Sequence, residues 1–135
     1  EAENNWIVLR YADVLLMMAE AIGPTGTTAD GDTGWELIND VRNRAGLPDV
    51  QQNNFYERLL SERRVELAFE NHRWPDLKRF QQYPGMGSVA FDRVSDELGG
   101  LTQDNFNLLY PIPQREVDVA DLDQNDGYAG GGGGS

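Results

Sequence analysis

Apolar residues recur at helical spacing in three stretches of the first half of the chain. Over residues 7–22 the polar positions Arg10, Asp13 and Glu20 fall in one narrow stripe, and almost every other side is apolar. This pattern predicts a helix that is buried nearly all round. Gly23, followed by a proline, marks its end.

A second helix is predicted over residues 34–45. Thr33 and Glu36 have the spacing of a capping box, in which each side chain accepts from the backbone amide of the other residue. Gly46 suits a left-handed helix end. The preceding segment, residues 24–32, is rich in Thr, Gly and Asp and is predicted to be a loop. The first two helices would then pair as one unit of an α-solenoid.

A third helix is predicted over residues 55–71, with Asn54 as its N-cap. Charged residues are interleaved with the apolar residues of its arc. If the charged residues only faced water, they would lie on a separate side of the helix. We therefore predict an ion-pair network at a helix–helix seam, with Arg63 paired to Glu66 three residues on. The charged residues in or beside the arc are Glu62, Arg63, Glu66 and Glu70.

The remainder of the chain has weaker periodicity. A short fourth helix is predicted after His72, with Pro75 or Asp76 in its first turn. Residues 108–113 should be extended, because Pro111 and Pro113 restrict both themselves and their predecessors. Residues 114–128 are acidic and are predicted to form an irregular tail. The predicted fold is all-α, made of helical hairpins with a long irregular C-terminal segment.

Composition excludes several classes of function. Of the 135 residues, 32 are Leu, Ile, Val or Phe, which is enough for a core. The net charge of -12 disfavours binding to nucleic acid or to a bare anionic membrane. Because the chain has no cysteine, it holds no disulfide, no thiolate metal site and no Cys nucleophile.

No targeting or membrane-spanning segment is expected from the sequence. Its first five residues show neither the basic nor the apolar region of a signal peptide, so none is expected. The longest strongly apolar run, residues 14–19, is far too short to cross a bilayer. Five of residues 129–135 are consecutive glycines, which is typical of a flexible tether or an engineered scar.

Two short patterns invite a metal-site interpretation. Asp30 and Asp32 flank a glycine, as at the start of a calcium-binding EF-hand loop, but that loop also needs an acidic or amide residue at its fifth position and Glu at its twelfth. Gly34 and Val41 stand there, so we interpret the segment as a flexible polar loop. His72 is the single histidine and is interpreted as a structural or surface residue.

Catalysis is not expected. Glycoside hydrolysis needs two carboxyl groups, one of them a general acid with a raised pKa. Glu62, Glu66 and Glu70 instead have Arg neighbours, and ion pairing lowers a carboxyl pKa. No motif for a serine nucleophile occurs, so we assign no catalytic residue and no cofactor.

Five aromatic residues could stack on the apolar face of a sugar ring. Core packing is the favoured interpretation for the two that lie within helical motifs, Trp35 and Trp74. The five are Trp6, Trp35, Trp74, Tyr83 and Tyr110.

Four blocks of the sequence, in order, resemble the SusD/RagB family. They are RYADVLLMMAEA at residues 10–21, INDVRNRAGLP at 38–48, ERRVELAFE at 62–70 followed by RW and DL at 73–77, and YPIP at 110–113 followed by QNDGY at 124–128. Departures are small: Asn71 stands where the family often has Gly, Pro75 where it often has an aromatic residue, and Asp126 where it often has Pro.

The resemblance implies a fold, a location and a role. Members are surface lipoproteins of the outer membrane of Bacteroidota, with tetratricopeptide-like helices and a large irregular region. They capture oligosaccharides, or in some cases peptides, and sit above a SusC-like TonB-dependent transporter. The family's lipid-bearing cysteine is absent from this chain, and the match begins deep inside the family pattern. Residues 1–128 would then be the C-terminal portion of a longer protein, and 129–135 a Gly-rich tail.

Two hypotheses follow. In the first, the protein captures a nutrient, and this segment acts mainly as scaffold beside the upstream portion of the same protein. In the second, the chain is a helical-repeat interaction module or fusion fragment with no ligand of its own. Because the family's ligand site is built largely from upstream regions, no ligand-binding residue is assigned.

Overall fold

The described elements of the protein are helices, as the hydrophobic pattern predicts. A computed structural model defines residues 8–87, 110–125 and 127–128. The chain divides into two units, residues 1–90 and 91–135. In the described part of the first unit the helices are α1 (Tyr11–Ile22), α2 (Gly34–Arg44), α3 (Phe55–Glu66) and α4 (Arg73–Phe80), and in that of the second unit there is α5 (Gln114–Ala120).

The predicted hairpin of α1 and α2 is confirmed, since the two helices pack on each other. The Thr33 hydroxyl accepts from the Glu36 amide at 3.2 Å, and the Glu36 carboxylate accepts from the Thr33 amide at 2.7 Å, completing the capping box. At the other end of α2, Gly46 adopts a φ of 72°. The amides of Gly46 and Leu47 each donate at 3.0 Å, to the carbonyls of Asn43 and Arg42, which closes α2 with a Schellman motif.

The end of α1 approaches the start of α2 very closely. A Cβ atom at Gly34 would lie 2.5 Å from the carbonyl oxygen of Gly23 and 2.8 Å from the Phe55 ring. The same ring meets Trp35 edge to face, with centroids 4.9 Å apart. Position 34 therefore has to be glycine for α1, α2 and α3 to meet.

The core of the first unit lies where α3 covers one side of the α1–α2 hairpin and α4 packs on α3. Its apolar side chains come from all four helices, so no two helices form this core by themselves. Those that are at most 2 % exposed are Leu16, Ala19, Leu37, Ile38, Val41, Leu59, Leu60 and Phe80.

The prediction that α1 is buried nearly all round is wrong. Its buried side chains are Asp13, Leu16 and Ala19, which share one face. On the opposite side Tyr11 is 75 % exposed and Met18 is 39 % exposed. The physical reason is that α2 and α3 cover α1 from one direction only among the described residues.

The third helix is shorter than predicted. It ends at Glu66, because Phe69 and Asn71 have left-handed φ values of 67° and 63° that break the helix before α4 begins. The predicted cap also fails. Asn54 has a φ of 50°, and its side chain makes no capping hydrogen bond; its amide donates instead to the Glu57 carboxylate at 3.4 Å.

In the second unit, the prediction of an irregular tail over residues 114–128 is wrong at its start. Pro113, with a φ of −53°, leads directly into α5, and Gln114 donates to Asp118 one turn on, at 2.7 Å. Residues 110–113 are non-helical, as the prolines predict, and the Gln124 side chain bonds both backbone groups of Ile112 at 2.7 Å. Residues 108, 109 and 129–135 lie outside the described part.

No helix within the described residues combines the length and the apolar character needed to cross a membrane.

Replacing Gly34 by Ala tests the close approach of α1 and α2. Alanine is normally the better helix former, by about 1 kcal/mol. Here its methyl group would push against a backbone carbonyl, so we expect a net loss of roughly 1–3 kcal/mol in the free energy of unfolding, measured with urea. Gly87→Ala is the control, because a Cβ atom there meets nothing within 4 Å. A stabilised Gly34→Ala variant would contradict the packing described.

Candidate functional site

A buried guanidinium joins three helices of the first unit. Arg63 on α3 is 3 % exposed. Its Nη1 atom lies 2.9 Å from an oxygen of Asp13 on α1, and its Nε atom lies 2.9 Å from an oxygen of Asp76 on α4. Both carboxylates are also buried, at 3 % and 2 % exposure. One cation is thus clamped between two anions in the interior.

The network continues along α4 and back to α1. Asp76 forms a second ion pair with Arg79, whose Nη2 atom lies 2.8 Å from Oδ1 of Asp76. The Arg79 guanidinium binds both oxygens of Glu20, at 2.7 and 3.0 Å. We call these five residues the ion-pair seam; they are Asp13, Glu20, Arg63, Asp76 and Arg79.

The spacing of the seam residues along their helices explains how they meet where α1, α3 and α4 pack together. Asp13 and Glu20 are seven residues apart, which places them two turns apart on one side of α1. Arg63 follows Leu59 by four residues and shares its buried face. Asp76 and Arg79 are one turn apart on α4. Asp13, Arg63 and Asp76 therefore stand at buried positions that apolar residues usually occupy.

Tyr83 adds a hydroxyl to the seam. Its oxygen donates to Glu20 at 2.8 Å. Burial, and then the Glu20 carboxylate, raise the pKa of Tyr83 to about 12, so the phenol stays protonated at neutral pH. The bidentate bond to Glu20 likewise raises the pKa of Arg79, which keeps its charge.

A second set of ion pairs lies beside the seam, and we call it the outer cluster. Arg10, just before α1, holds the carboxylates of Glu70 and Glu66, and its guanidinium also donates to the Glu66 carbonyl. Arg44 at the end of α2 binds Glu66 at 2.6 Å. The hydrogen bond from Arg10 lowers the pKa of Glu70 and raises that of Arg10. In addition, Arg42 binds Glu62 at 2.8 Å.

These contacts confirm the predicted ion-pair network but correct which residues are paired in it. The predicted pair of Arg63 with Glu66 is wrong. Arg63 turns to Asp13 and Asp76, while Glu66 turns to Arg10 and Arg44. The reason is that the two residues point to different neighbours: Arg63 faces α1 and α4, whereas Glu66 faces the end of α2 and the residue before α1.

A cleft of about 460 Å³ opens along the seam. Four charged side chains line this cleft, and each of them is already in an ion pair. Its lining is Asp13, Met17, Glu20, Ala21, Arg63, His72, Arg79 and Tyr83.

Comparison with known proteins now decides the family. The sequence pattern of the SusD family matches residues 1–128. The chain belongs to the SusD family. It is 34 % identical to SusD-like protein P38 of Formosa agariphila over 93 % of this chain and 25 % of that protein, and 30 % identical to SusD-like protein P2 of the same organism over 87 % and 24 %. A SusD-like protein of Bacteroides ovatus is 36 % identical over 58 % of this chain and 14 % of its own length.

The chain spans about a quarter of the length of the Formosa relatives that it matches. No significant match to a solved structure was found.

The candidate metal-binding residues Asp30, Asp32 and His72 form no common site. Asp30 and Asp32 are exposed, and their loop is a tight turn in which the Asp32 amide donates to the Thr28 hydroxyl at 3.0 Å. His72 precedes α4 and lines the cleft instead. Within residues 8–87, 110–125 and 127–128 there is no group of three or more His, Asp or Glu side chains arranged to hold a metal ion.

The candidate aromatics that the structure describes differ in exposure. Trp35 is 9 % exposed and belongs to the core, as predicted, whereas Trp74 is half-buried. Tyr83 stacks on Tyr56 with ring centroids 4.1 Å apart and planes 4° apart. Tyr110, in the second unit, is 71 % exposed. Trp6 lies outside the described residues.

Sequence reasoning missed Asp13 and Asp76 as partners of Arg63. A usable signal existed for Asp13, which stands within an otherwise apolar helix and so needs a buried counterion. No comparable signal marks Asp76 in its polar segment.

Replacing Arg63 by Met removes the buried cation while keeping helix propensity. Because Asp13 and Asp76 would remain buried without their counterion, we expect a loss of about 3–5 kcal/mol in the free energy of unfolding, measured with urea. Arg44→Met is the matched control, since Arg44 is 63 % exposed and its pair should contribute less than about 1 kcal/mol. Equal losses in the two variants would contradict the burial of the seam.

Glu70→Gln should make the free energy of unfolding less dependent on pH in the acid range. The folded-state pKa of Glu70 is lowered from 4.5, so its contribution is present above that value and is lost as pH falls through the folded-state pKa. The wild type should therefore exceed the variant in stability at neutral pH and converge with it in acid. Urea unfolding from about pH 7 to about pH 3 measures this. A constant difference over that range would exclude ionisation as the cause.

Proposed function

We propose that this chain is the C-terminal portion of a cell-surface SusD-family protein that captures an oligosaccharide and delivers it to a SusC-like TonB-dependent transporter. Family membership over residues 1–128 supports the capture role. In this proposal residues 1–128 belong to the family domain and residues 129–135 are a flexible tether. Aromatic stacking and hydrogen bonds would hold the ligand without covalent chemistry.

The proposed role of this segment is that of scaffold. The observation that carries it is the placement of Arg63 between Asp13 and Asp76, all of them at most 3 % exposed. Charges committed to one another in the interior fix the relative positions of α1, α3 and α4. Because these charges are already paired with one another, they suit a frame on which binding elements are mounted.

The charge state of the outer cluster supports a non-catalytic role. A general acid in glycoside hydrolysis needs a raised carboxyl pKa. The hydrogen bond from Arg10 lowers the pKa of Glu70 instead, which keeps this carboxylate ionised and paired.

We place the whole protein at the outer-membrane surface, held there by a lipid on a cysteine upstream of this chain. The support is family membership, since the SusD family carries its anchor at the mature N-terminus. The net charge of -12 would keep such a domain away from the anionic surface beneath it.

Titration calorimetry against a panel of oligosaccharides tests the proposal. The panel is applied to this chain and to the same chain extended by its upstream sequence. We expect at least one glycan to bind the extended form and none to bind the short form, because this segment is scaffold.

The control is the Arg44→Met variant of the extended form, which should retain binding because the exposed ion pair of Arg44 with Glu66 adds little to the stability of the scaffold. No binding by either form, together with capture of a protein partner, would favour an interaction module without a ligand. Release of reducing sugar would show catalysis and overturn the proposal.

A further inference from the structure

Two of the four blocks that carry the family resemblance, YPIP and QNDGY, are joined by side chains in the second unit. The Gln124 side chain donates to the carbonyl of Ile112 and accepts from its amide, both at 2.7 Å, so it takes the place of a neighbouring strand. The Asn125 side chain donates to the carbonyl of Tyr110, also at 2.7 Å. We call these three hydrogen bonds the clasp.

The clasp holds a segment that is already stiff. The rings of Pro111 and Pro113 fix φ at two of the four positions of YPIP. Gln124 is only 8 % exposed, and hydrogen bonds in such a buried place are stronger than those in water. The backbone of the segment is therefore restrained both by its own prolines and by side chains from further along the chain.

The clasped segment does not serve to fill a core. Tyr110 is 71 % exposed, and both prolines are exposed as well. Several hydrogen bonds thus fix the backbone of a tyrosine whose ring is accessible to solvent. An accessible tyrosine on a restrained backbone is typical of binding surfaces, because the side chain has only two torsions to lose on binding.

Of the aromatic residues that could stack on a sugar, Tyr110 is the exposed one within the part of the chain that the structure describes. Trp35 belongs to the core of the first unit, and Trp74 is half-buried. Tyr83 is already stacked on Tyr56. The structure therefore separates Tyr110 from the other candidates, which the sequence could not do.

A polar group lies next to this tyrosine. Asn125 uses its side-chain nitrogen to bind the Tyr110 carbonyl, and its side-chain oxygen has no hydrogen-bond partner among the described residues. A sugar ring presents C–H groups on its face and hydroxyls at its edge, so it needs an aromatic face and a polar group close together. Tyr110 and Asn125 supply both.

The charge of this segment selects the class of sugar. Residues 110–128 carry five acidic side chains and one basic side chain. Such a surface repels anionic ligands, and it has no comparable effect on an uncharged one. A neutral sugar therefore fits it better than a sugar that carries carboxylate or sulfate groups.

We propose that Tyr110, held by the clasp and accompanied by Asn125, stacks on a neutral sugar ring of the captured oligosaccharide. The inference rests on the proposed function in one respect, namely that the captured nutrient is an oligosaccharide. It adds one ligand contact from the second unit to the scaffold role of the first. Because a single stacking contact gives at best millimolar affinity, the short chain should still show no binding by calorimetry.

NMR spectroscopy of the 135-residue chain tests the proposal, with the neutral disaccharide cellobiose as the probe. Isotope-labelled tyrosine rings give five sets of signals, one for each tyrosine, and the Tyr110→Phe variant identifies the set of Tyr110 by its loss. We expect the Tyr110 ring signals to shift progressively as cellobiose is added. Tyr11 on α1 is the matched control, since it is 75 % exposed, and its signals should stay in place.

Absence of a shift at Tyr110 would overturn the proposal. Equal shifts at Tyr110 and Tyr11 would also overturn it, because every exposed tyrosine would then contact the sugar in the same way.

A second experiment uses the chain extended by its upstream sequence and the panel oligosaccharide that this form binds most tightly. Tyr110→Ala should raise the Kd about tenfold, whereas Tyr110→Trp, which keeps a planar ring, should stay within about twofold of the wild type. Val119→Ala is the control, because Val119 is 77 % exposed in the same unit, and its Kd should not change.

An unchanged Kd in Tyr110→Ala would contradict the stacking contact, as would an equal loss in Val119→Ala. Failure of every panel oligosaccharide to bind the extended form would count against the proposed function. The ring signals of Tyr110 in the short chain are read independently of that result, so the two failures are distinguishable.

Discussion

The desolvation of a guanidinium between two carboxylates constrains how the helices of the first unit pack. Removing three charges from water costs several kcal/mol for each ion, and only close, correctly oriented partners offset that cost. Arg63 meets this condition because its Nη1 and Nε atoms address different helices. Any displacement of α1 or α4 would leave a buried charge unpaired, so the seam selects one arrangement of the helices.

Apolar packing alone would be less selective. Leucine side chains on α3 tolerate small shifts along a neighbouring helix, whereas a hydrogen-bonded ion pair loses its geometry within about an ångström. The chain combines the two: Leu59 and Leu60 are fully buried, and Arg63 sits one turn further along the same helix. The apolar contacts supply free energy, and the ion pairs supply register.

The sequence predicted those features that depend on neighbours along the chain. The helices α1 to α3 follow from periodicity, α4 follows from Pro75 or Asp76 at its start, and the ends of α2 follow from Thr33, Glu36 and Gly46. The existence of a charged seam followed from charges inside an apolar arc. The partners did not follow, because Arg63 lies 50 residues from Asp13 and 13 from Asp76, and such pairing depends on the tertiary arrangement. The early end of α3 was equally hidden, since nothing in the type of residue 69 indicates a left-handed backbone.

The small size of α4 gives the seam a further consequence. A helix of eight residues is too short to persist in water without tertiary support. Ion pairs of Asp76 and Arg79 hold α4 against α3 and α1. We expect the backbone hydrogen bonds of α4 to break only when these ion pairs break as well. We therefore expect α4 to unfold together with α1 and α3, and its hydrogen exchange to report on the opening of those helices.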